Sequence, residues 1–368
     1  MRVVIDAVPL LIRSAGVKNY LYYWIEHLRR TAGSHICDTF PRLDLLGPLR
    51  HDVSIAAPLR TISGLAALAT ANYTRLPVFD IACRGADVFH ASNLQRHPPR
   101  KLRLTTTLHD VTSWLMPELH PAANRRADAA HAELLRRSDG VIAVSASTRD
   151  DAVRTLGLAP ERIEVIHSGI ADGFFSVDAA AIKSVRSRYK LDRTFALFIG
   201  TIEPRKNLDG LIDAWQALPE SVREEFDLVI AGPLGWAPPE TAARVRERHY
   251  LGYIPEADLA PLTASASVFV YPSLYEGFGF PVAQAMAAGV PVVTSNVSSL
   301  PEVTGDAAIL VDPRSQMELR DALLRVLTSP PLRGELANRG RTRAEQFRWE
   351  KCATQSWKFF ERIAGGAT

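Results

Sequence analysis

Short apolar runs separated by longer stretches of helical period recur along most of the chain. In the first half, Arg2–Asp6, Val88–Ala91, Leu104–Leu108, Gly140–Val144 and Ile163–Ile166 are short enough to be buried strands. Between them, Leu21–Arg30 and Arg126–Arg137 carry a helical pattern, and a polar loop with a glycine, Ser14–Tyr20, leads into the first. Ser145 is placed to cap a further helix that runs through Leu156, with Gly157 at its end. A second series follows: the strand Phe195–Ile199, the helix Asn207–Leu218, the strands Phe226–Ala231 and Tyr250–Tyr253, the helix Ala257–Ala264, and the strand Val268–Tyr271. Pro281 then opens a helix that Gly289 ends, and Val290–Thr294 and Ala308–Val311 close the series as strands. This alternation predicts an α/β protein with parallel sheets covered by helices. Ile62–Ala71 is apolar but well short of the ~20 residues that span a bilayer, and it predicts a helix packed on a core.

A length of 368 residues exceeds what one hydrophobic core usually serves, so two domains are expected. Their boundary falls after the Ile163–Ile166 strand, near Gly169 to Val177. The expected division is residues 1–172, residues 173–345 and a terminal helix in residues 346–368. That helix carries Phe347, Trp349, Trp357, Phe359 and Phe360, a bulky stripe that must pack either on its own domain or back on the first. A net charge of +3 is too small to argue for nucleic acid. Cys37, Cys83 and Cys352 have no paired spacing, which argues against a disulfide framework or a zinc site and favours a reducing compartment. The chain begins at once with a strand, Met-Arg-Val-Val-Ile-Asp, so no secretory signal is expected and the protein reads as cytoplasmic. No Asp-x-Asp pattern or acid–histidine cluster is present, so no required metal is expected.

Two segments carry candidate chemistry. In Tyr271–Ser295 a strand ends in the turn Glu276-Gly277-Phe278-Gly279, and Phe280-Pro281 enters a helix of small residues. A polar turn at the carboxyl end of a strand is where open α/β sheets bind ligands. In Ile199–Leu208 a strand ends at Gly200-Thr201, and Arg205 and Lys206 precede a helix. Two cations beside a helix N-terminus suit a diphosphate, although a solvated basic turn has the same composition. Glu276 fits a carboxylate that accepts sugar hydroxyls, and it also fits an acid near a helix start.

Both segments resemble the nucleotide-sugar-dependent glycosyltransferases with two Rossmann-like domains (the GT-B fold), specifically the retaining family 4, also called group 1. The resemblance implies two Rossmann-like domains facing across a cleft and a C-terminal helix crossing back to the N-terminal domain. It places the nucleotide-sugar donor mainly on the C-terminal domain and the acceptor mainly on the N-terminal one. It assigns Arg205 and Lys206 to the leaving diphosphate and Glu276 to the donor sugar, with the backbone of Gly277, Phe278, Gly279 and Phe280 completing the cradle. Gly200 and Thr201 fall on the donor side, Gly232 begins a loop beneath the nucleotide base, and Tyr253 and Ile254 flank that base. The family usually has a second Glu eight positions after the first, receiving the ribose hydroxyls, and here that position is Gln284. In the N-terminal half, the loop of Gly16 approaches the donor diphosphate, and His109 in Thr107-Leu-His-Asp-Val-Thr lies beside the anomeric carbon. Asp110, Ser145 and Ser147 are implied on the acceptor side, and helix capping accounts for Ser145 equally well.

The resemblance is greatest to the bacterial mannosyl- or rhamnosyl-type branch that builds O-antigen and capsule. It therefore implies GDP-mannose as co-substrate, no other cofactor, and a glycan or lipid-linked saccharide acceptor. Arg96, Arg100, Lys101 and Arg103 form a basic run that fits anionic headgroups on the inner face of a membrane as well as it fits a solvated loop. Two other readings stay open: a sugar-nucleotide epimerase on the same architecture, and a non-catalytic partner subunit, which Gln284 alone favours.

Overall fold

A computed structural model describes residues 1–14, 16–74 and 76–366, so Ala15 of the glycine-loop pattern and Ala367 and Thr368 of the terminal segment lie outside the described residues. The chain divides into two compact units, Met1–Gly169 with Trp349–Thr368, and Ile170–Arg348. These divisions fall three residues from the 172/173 and 345/346 boundaries drawn on the sequence. Local pairing sets them there: Ile170 N donates to Phe347 O at 2.7 Å and Ile170 bridges Arg348, which ties both ends of the second unit together. Gly169, one residue earlier, packs on Trp349, where an added Cβ would sit 2.2 Å from the indole. Phe347 therefore leaves the terminal stripe and packs on Phe278 in the second unit.

The first unit is a six-stranded sheet of β1 (Arg2–Asp6), β2 (Ile36–Phe40), β3 (Val88–Ala91), β4 (Arg103–Leu108), β5 (Gly140–Ala143) and β6 (Ile163–Val165) in the order β2-β1-β3-β4-β5-β6. The second unit has β7 (Thr194–Ile199), β8 (Phe226–Ala231), β9 (His249–Gly252), β10 (Val268–Tyr271), β11 (Val292–Ser295) and β12 (Ala308–Val311) in the order β12-β11-β10-β7-β8-β9. All pairings are parallel. Parallel strands are covered on both faces, which is why β3, β5, β10 and β11 are buried at every residue. In each sheet the chain reverses direction beside its first strand, at β1/β3 and at β7/β10, and such a switch point opens a ligand crevice at the carboxyl ends.

The terminal helix Trp349–Ala364 belongs to the first unit, which closes the alternative left open by the sequence. It packs along the helix Gly16–Arg30, where Trp24 Nε1 donates to Ser356 Oγ at 2.9 Å and Trp357 Nε1 donates to Leu28 O at 3.1 Å. The structure differs from the sequence reading at three points. The helix expected from Leu21 begins at Gly16, so most of the Ser14–Tyr20 loop is helical. Its Lys18 is buried and donates to Ile12 O at 2.8 Å and Val53 O at 2.5 Å, which satisfies an ammonium the polar pattern left outside. Strand β2 was not predicted, because its Asp38 and Thr39 interrupt the apolar run on a sheet edge. The segment Ile62–Ala71 is helical, within Pro58–Thr74, and it packs on the core of the first unit through Ala71 and Leu68, as expected, while Ile62, Ala66 and Ala69 on its other face are exposed.

Candidate active site

In the second unit the loops after β7 and β10 meet at the switch point. Leu274 N donates to Arg205 O at 2.9 Å, and Arg205 Nη1 donates to Tyr275 O at 2.6 Å. Arg205 and Lys206 occupy the short 3-10 turn Pro204–Lys206, and Asn207 follows with φ 56°, its side chain donating to Pro313 O at 2.7 Å. That left-handed residue redirects the chain into the helix Leu208–Gln216 and leaves both cations over the sheet edge. Both reach Glu276: Arg205 Nη1 lies 2.9 Å and Lys206 Nζ 2.6 Å from Oε1. Arg205 Nη2 also donates to Glu203 Oε1 at 2.6 Å, and Lys206 Nζ donates to the Tyr271 hydroxyl at 2.6 Å.

Burial would push the Glu276 carboxyl up, but Arg205 and then Lys206 outweigh it and hold the group at about 2. Burial, then Arg205, lower Lys206, while Glu276 and Glu203 pull it back. With a carboxylate at 2.6 Å we assign Lys206 as the ammonium at neutral pH. The four charges of Glu203, Arg205, Lys206 and Glu276 cancel, which is how they tolerate burial. The backbone of Glu276 is clamped as well: its N–H donates to Ser298 Oγ at 2.9 Å and its carbonyl accepts from Ser299 Oγ at 2.9 Å.

The neighbouring predicted residues take structural positions around this cluster. Gly279, at φ 92°, caps the helix Phe280–Ala287, and an added Cβ would meet Leu300 at 2.8 Å. Phe278 is buried against Phe280 and Phe347, so only its backbone is available to a ligand. Gln284 sits on the same helix, partly exposed. Gly200 follows β7 and Gly232 follows β8, pressed together so that an added Cβ at Gly232 would lie 1.9 Å from Gly200 O. Thr201 lies beside them, its methyl 2.6 Å from where a Cβ on Gly235 would stand. After β9, Tyr253 is exposed and Ile254 is buried. The second unit therefore brings Gly200, Gly232, Tyr253, Glu276 and Gly277 to the carboxyl ends of its strands.

In the first unit His109 follows β4, its ring edge-on to Tyr20 with centroids 4.9 Å apart. Burial lowers its pKa to about 4 against the pull of Asp110, so the imidazole is neutral at pH 7. Asp110 does not orient that ring. Its Oδ1 accepts from Thr112 N at 3.0 Å and Thr112 Oγ1 at 2.6 Å, a cap for the following turn. Ser145 is the N-cap foreseen, accepting from Thr148 N at 3.0 Å, and it is buried. Gly16 is exposed at the start of its helix, with nothing within 4 Å of an added Cβ.

Sequence reasoning missed several members of these constellations. Glu203 and Tyr271 both stood inside the quoted motifs, and only the fold shows that they hold Arg205 and Lys206. Ser298 and Ser299 come from the loop after β11 and carried no local signal. Asp6, at the β1/β3 switch point, is fully buried and accepts from Ser92 Oγ at 2.6 Å and Val8 N at 3.1 Å. Burial raises its pKa to about 6 against those hydrogen bonds.

Comparison with known proteins accords with this geometry. Residues 182–343 match the group 1 glycosyl transferases, and residues 15–173 match glycosyltransferase family 4. The chain is 37% identical over 277 residues to the O-antigen chain mannosyltransferase B of Escherichia coli, covering 73% of this chain and 72% of that protein. The structure of sucrose-phosphate synthase from Thermosynechococcus elongatus is similar with a TM-score of 0.72 at 21% identity, over 100% of this chain and 99% of that one. HepE of Anabaena, solved in complex with UDP and glucose, is similar with a TM-score of 0.71 at 16% identity, over 98% of this chain and 99% of that one. These two structures speak to the fold alone. Two parallel α/β units, matched along most of their length and joined to a full-scale relative, make the chain a member of the group 1, family 4 glycosyltransferases of GT-B fold.

Proposed function

We propose that this glycosyltransferase moves a mannosyl residue from GDP-mannose, with retention of configuration and without a metal, to a glycan or lipid-linked saccharide acceptor in O-antigen or related surface polysaccharide synthesis. The name of the Escherichia coli relative supports the sugar and the product class. One observation carries the chemistry: Arg205 and Lys206 converge on Glu276 at the β7/β10 switch point. A diphosphate arriving there draws both cations toward its oxygens and frees the Glu276 carboxylate to accept sugar hydroxyls. As the glycosidic bond breaks, charge grows on the leaving diphosphate, and preplaced cations stabilise that charge more than they stabilise the ground state. In this reading His109 is a neutral imidazole that donates or accepts a hydrogen bond at the sugar. The departing phosphate oxygen takes the acceptor proton on the face it leaves. Asp110 and Ser145 shape the acceptor side through the turns they cap. The site of action is peripheral, on the inner face of a membrane.

The test is turnover of a panel of nucleotide sugars in EDTA, with the product's anomeric configuration read by NMR. Release of GDP from GDP-mannose with an α-linked product supports the reading. A new nucleotide sugar would point to an epimerase, and no turnover of any donor to a partner subunit. Two variants probe the site. Gln284→Glu should tighten donor binding several-fold, because a charged acceptor on a hydroxyl contributes about 1 kcal/mol more than a neutral one. Unchanged affinity by calorimetry would remove Gln284 from the ribose. Glu203→Gln keeps the shape but weakens the charge-assisted bond that aims Arg205. We expect roughly a ten-fold fall in kcat with a smaller change in KM, from a loss near 1.4 kcal/mol. A variant with wild-type kcat would show that Arg205 needs no such support.

A further inference from the structure

All pairings of the second sheet are parallel, so β8 and β9 both begin at the end opposite the switch-point loops. A cavity of about 250 Å³ opens there. Trp215, Arg223, Asp227, Glu247, Arg248 and His249 line it. They come from the end of the helix Leu208–Gln216, the helix Glu220–Glu225, the start of β8, and the residues that follow the helix Pro239–Arg246 into β9. Sites for drug-sized ligands have volumes of ~300–1,000 Å³, so this one suits a smaller ligand than a nucleotide.

The charges of this cavity do not close among themselves. Asp227 is already paired with Arg193. Arg223 Nε donates to Leu218 O at 3.1 Å, but among the described residues its guanidinium has no ion-pair partner. Arg248 is less satisfied still: its Nε is buried and has no hydrogen-bond partner. Carbonyls at the end of a helix attract cations, which accounts for Arg223 beside Leu218 O and leaves Arg248 without a reason. A buried charged donor that lacks an acceptor costs more than a neutral one, so Arg248 marks the place of an absent anion. Glu247, which is exposed, is the one acid of the lining with no ion-pair partner among the described residues. His249 contributes a second polar ring: its Nε2 donates to Tyr189 O at 3.2 Å, because a carbonyl only accepts, and Nδ1 is the nitrogen left to a ligand.

We infer that this cavity is a second anion site, which binds a phosphate group as inorganic phosphate or as the monoester of a small sugar. Arg248 and Arg223 are its principal ligands. A guanidinium presents a rigid planar fork of donors that matches two phosphate oxygens, and a phosphate at Arg248 supplies the acceptor that its Nε lacks. The site is separate from the proposed donor site. The lengths of β8 and β9 lie between this cavity and Gly232 and Tyr253, which follow those strands at the other end of the sheet. None of its residues belongs to the Arg205–Lys206–Glu276 cluster, and the inference does not rest on the transfer reaction proposed above.

The experiment is calorimetric titration of the full chain with inorganic phosphate and, separately, with glucose 6-phosphate, at constant ionic strength. Arg205 and Lys206 also attract phosphate, so Arg205→Ala is titrated beside the wild type. Arg205→Ala should keep the second site, and Arg248→Gln in that background should weaken it at least ten-fold. Glu247→Gln should tighten it several-fold, because it removes a like charge from the anion's surroundings. If Arg248→Gln lowers the melting temperature, Arg223→Gln, at an exposed position, serves instead with about a five-fold loss expected. Equal affinity for the two ligands makes the phosphate group the whole ligand, and a ten-fold preference for the ester gives the sugar a place in the cavity. Three results would each overturn the proposal: a wild type that takes up neither ligand, Arg205→Ala protein that has lost all phosphate binding, or arginine variants that bind as tightly as their parent.

Discussion

Replacing Arg205 by Ala should lower kcat by roughly two to three orders of magnitude, the range for removing one preplaced donor from a developing anion. Affinity for the free nucleoside should change far less. Arg205 is held at three points, by Glu203, the Tyr275 carbonyl and Glu276, so its guanidinium arrives at the switch point already oriented. The same substitution should move the acid limb of the turnover profile upward. Burial raises the Glu276 pKa, and the charge of Arg205 is the largest single influence among those that bring it to about 2. Without Arg205 the carboxyl takes a proton at higher pH. Stability follows the same sign. A carboxylate depressed from its ordinary 4.5 stabilises the fold above that value, and the contribution disappears as pH falls toward 2. The variant should therefore unfold earlier on acidification. Steady-state kinetics across pH, with calorimetry on the nucleoside, decides the matter. Equal losses in turnover and nucleoside binding would make Arg205 a uniform binder with no special part in the transition state.

How far the sequence reached depends on where each signal resides. Strands buried on both faces announce themselves as apolar runs, and β1, β3, β4, β7, β8 and β10 were all legible on that ground. The edge strand β2 was not, because Cys37-Asp38-Thr39 satisfies an edge without an apolar run. The cations and Glu276 were legible because a turn between a strand and a helix is a local pattern. Their mutual pairing was not, since 70 residues separate Lys206 from Glu276 and only the β7/β10 adjacency joins them. The pattern of Ile62–Ala71 identified a helix on the core, which Ala71 and Leu68 reach, but apolarity alone did not show that Ile62, Ala66 and Ala69 face outward. Asp110 was implied on the acceptor side, and the structure gives its carboxylate to Thr112, a local capping bond that short polar side chains often form.

Gly232→Ala should be the most damaging single-methyl change in the second unit. Gly232 has φ 129°, outside the regions open to other residues, and a Cβ there would lie 1.9 Å from Gly200 O. The neighbour cannot yield, because Gly200 N is bonded to Ala231 O at 3.0 Å and Gly232 N to Gly252 O at 2.7 Å. Strain of one to three kcal/mol from the backbone and a similar cost from overpacking predict a loss of about 3 kcal/mol or more. For a unit of this size that lowers the melting temperature by roughly 6–12 °C. Gly252→Ala is the control. Gly252 also has a positive φ, 67°, but nothing lies within 4 Å of its Cβ, so it should lose only the left-handed cost of about 1–2 kcal/mol. The difference between the two variants isolates the contact between the loops after β7 and β8, which carry the proposed phosphate and base sites. If that contact sets the spacing of the donor site, Gly232→Ala should weaken nucleotide binding even at temperatures where it is fully folded, and Gly252→Ala should not. Equal melting temperatures would mean that the loops separate freely, and the donor site would then have to be organised by the Arg205–Lys206–Glu276 cluster alone.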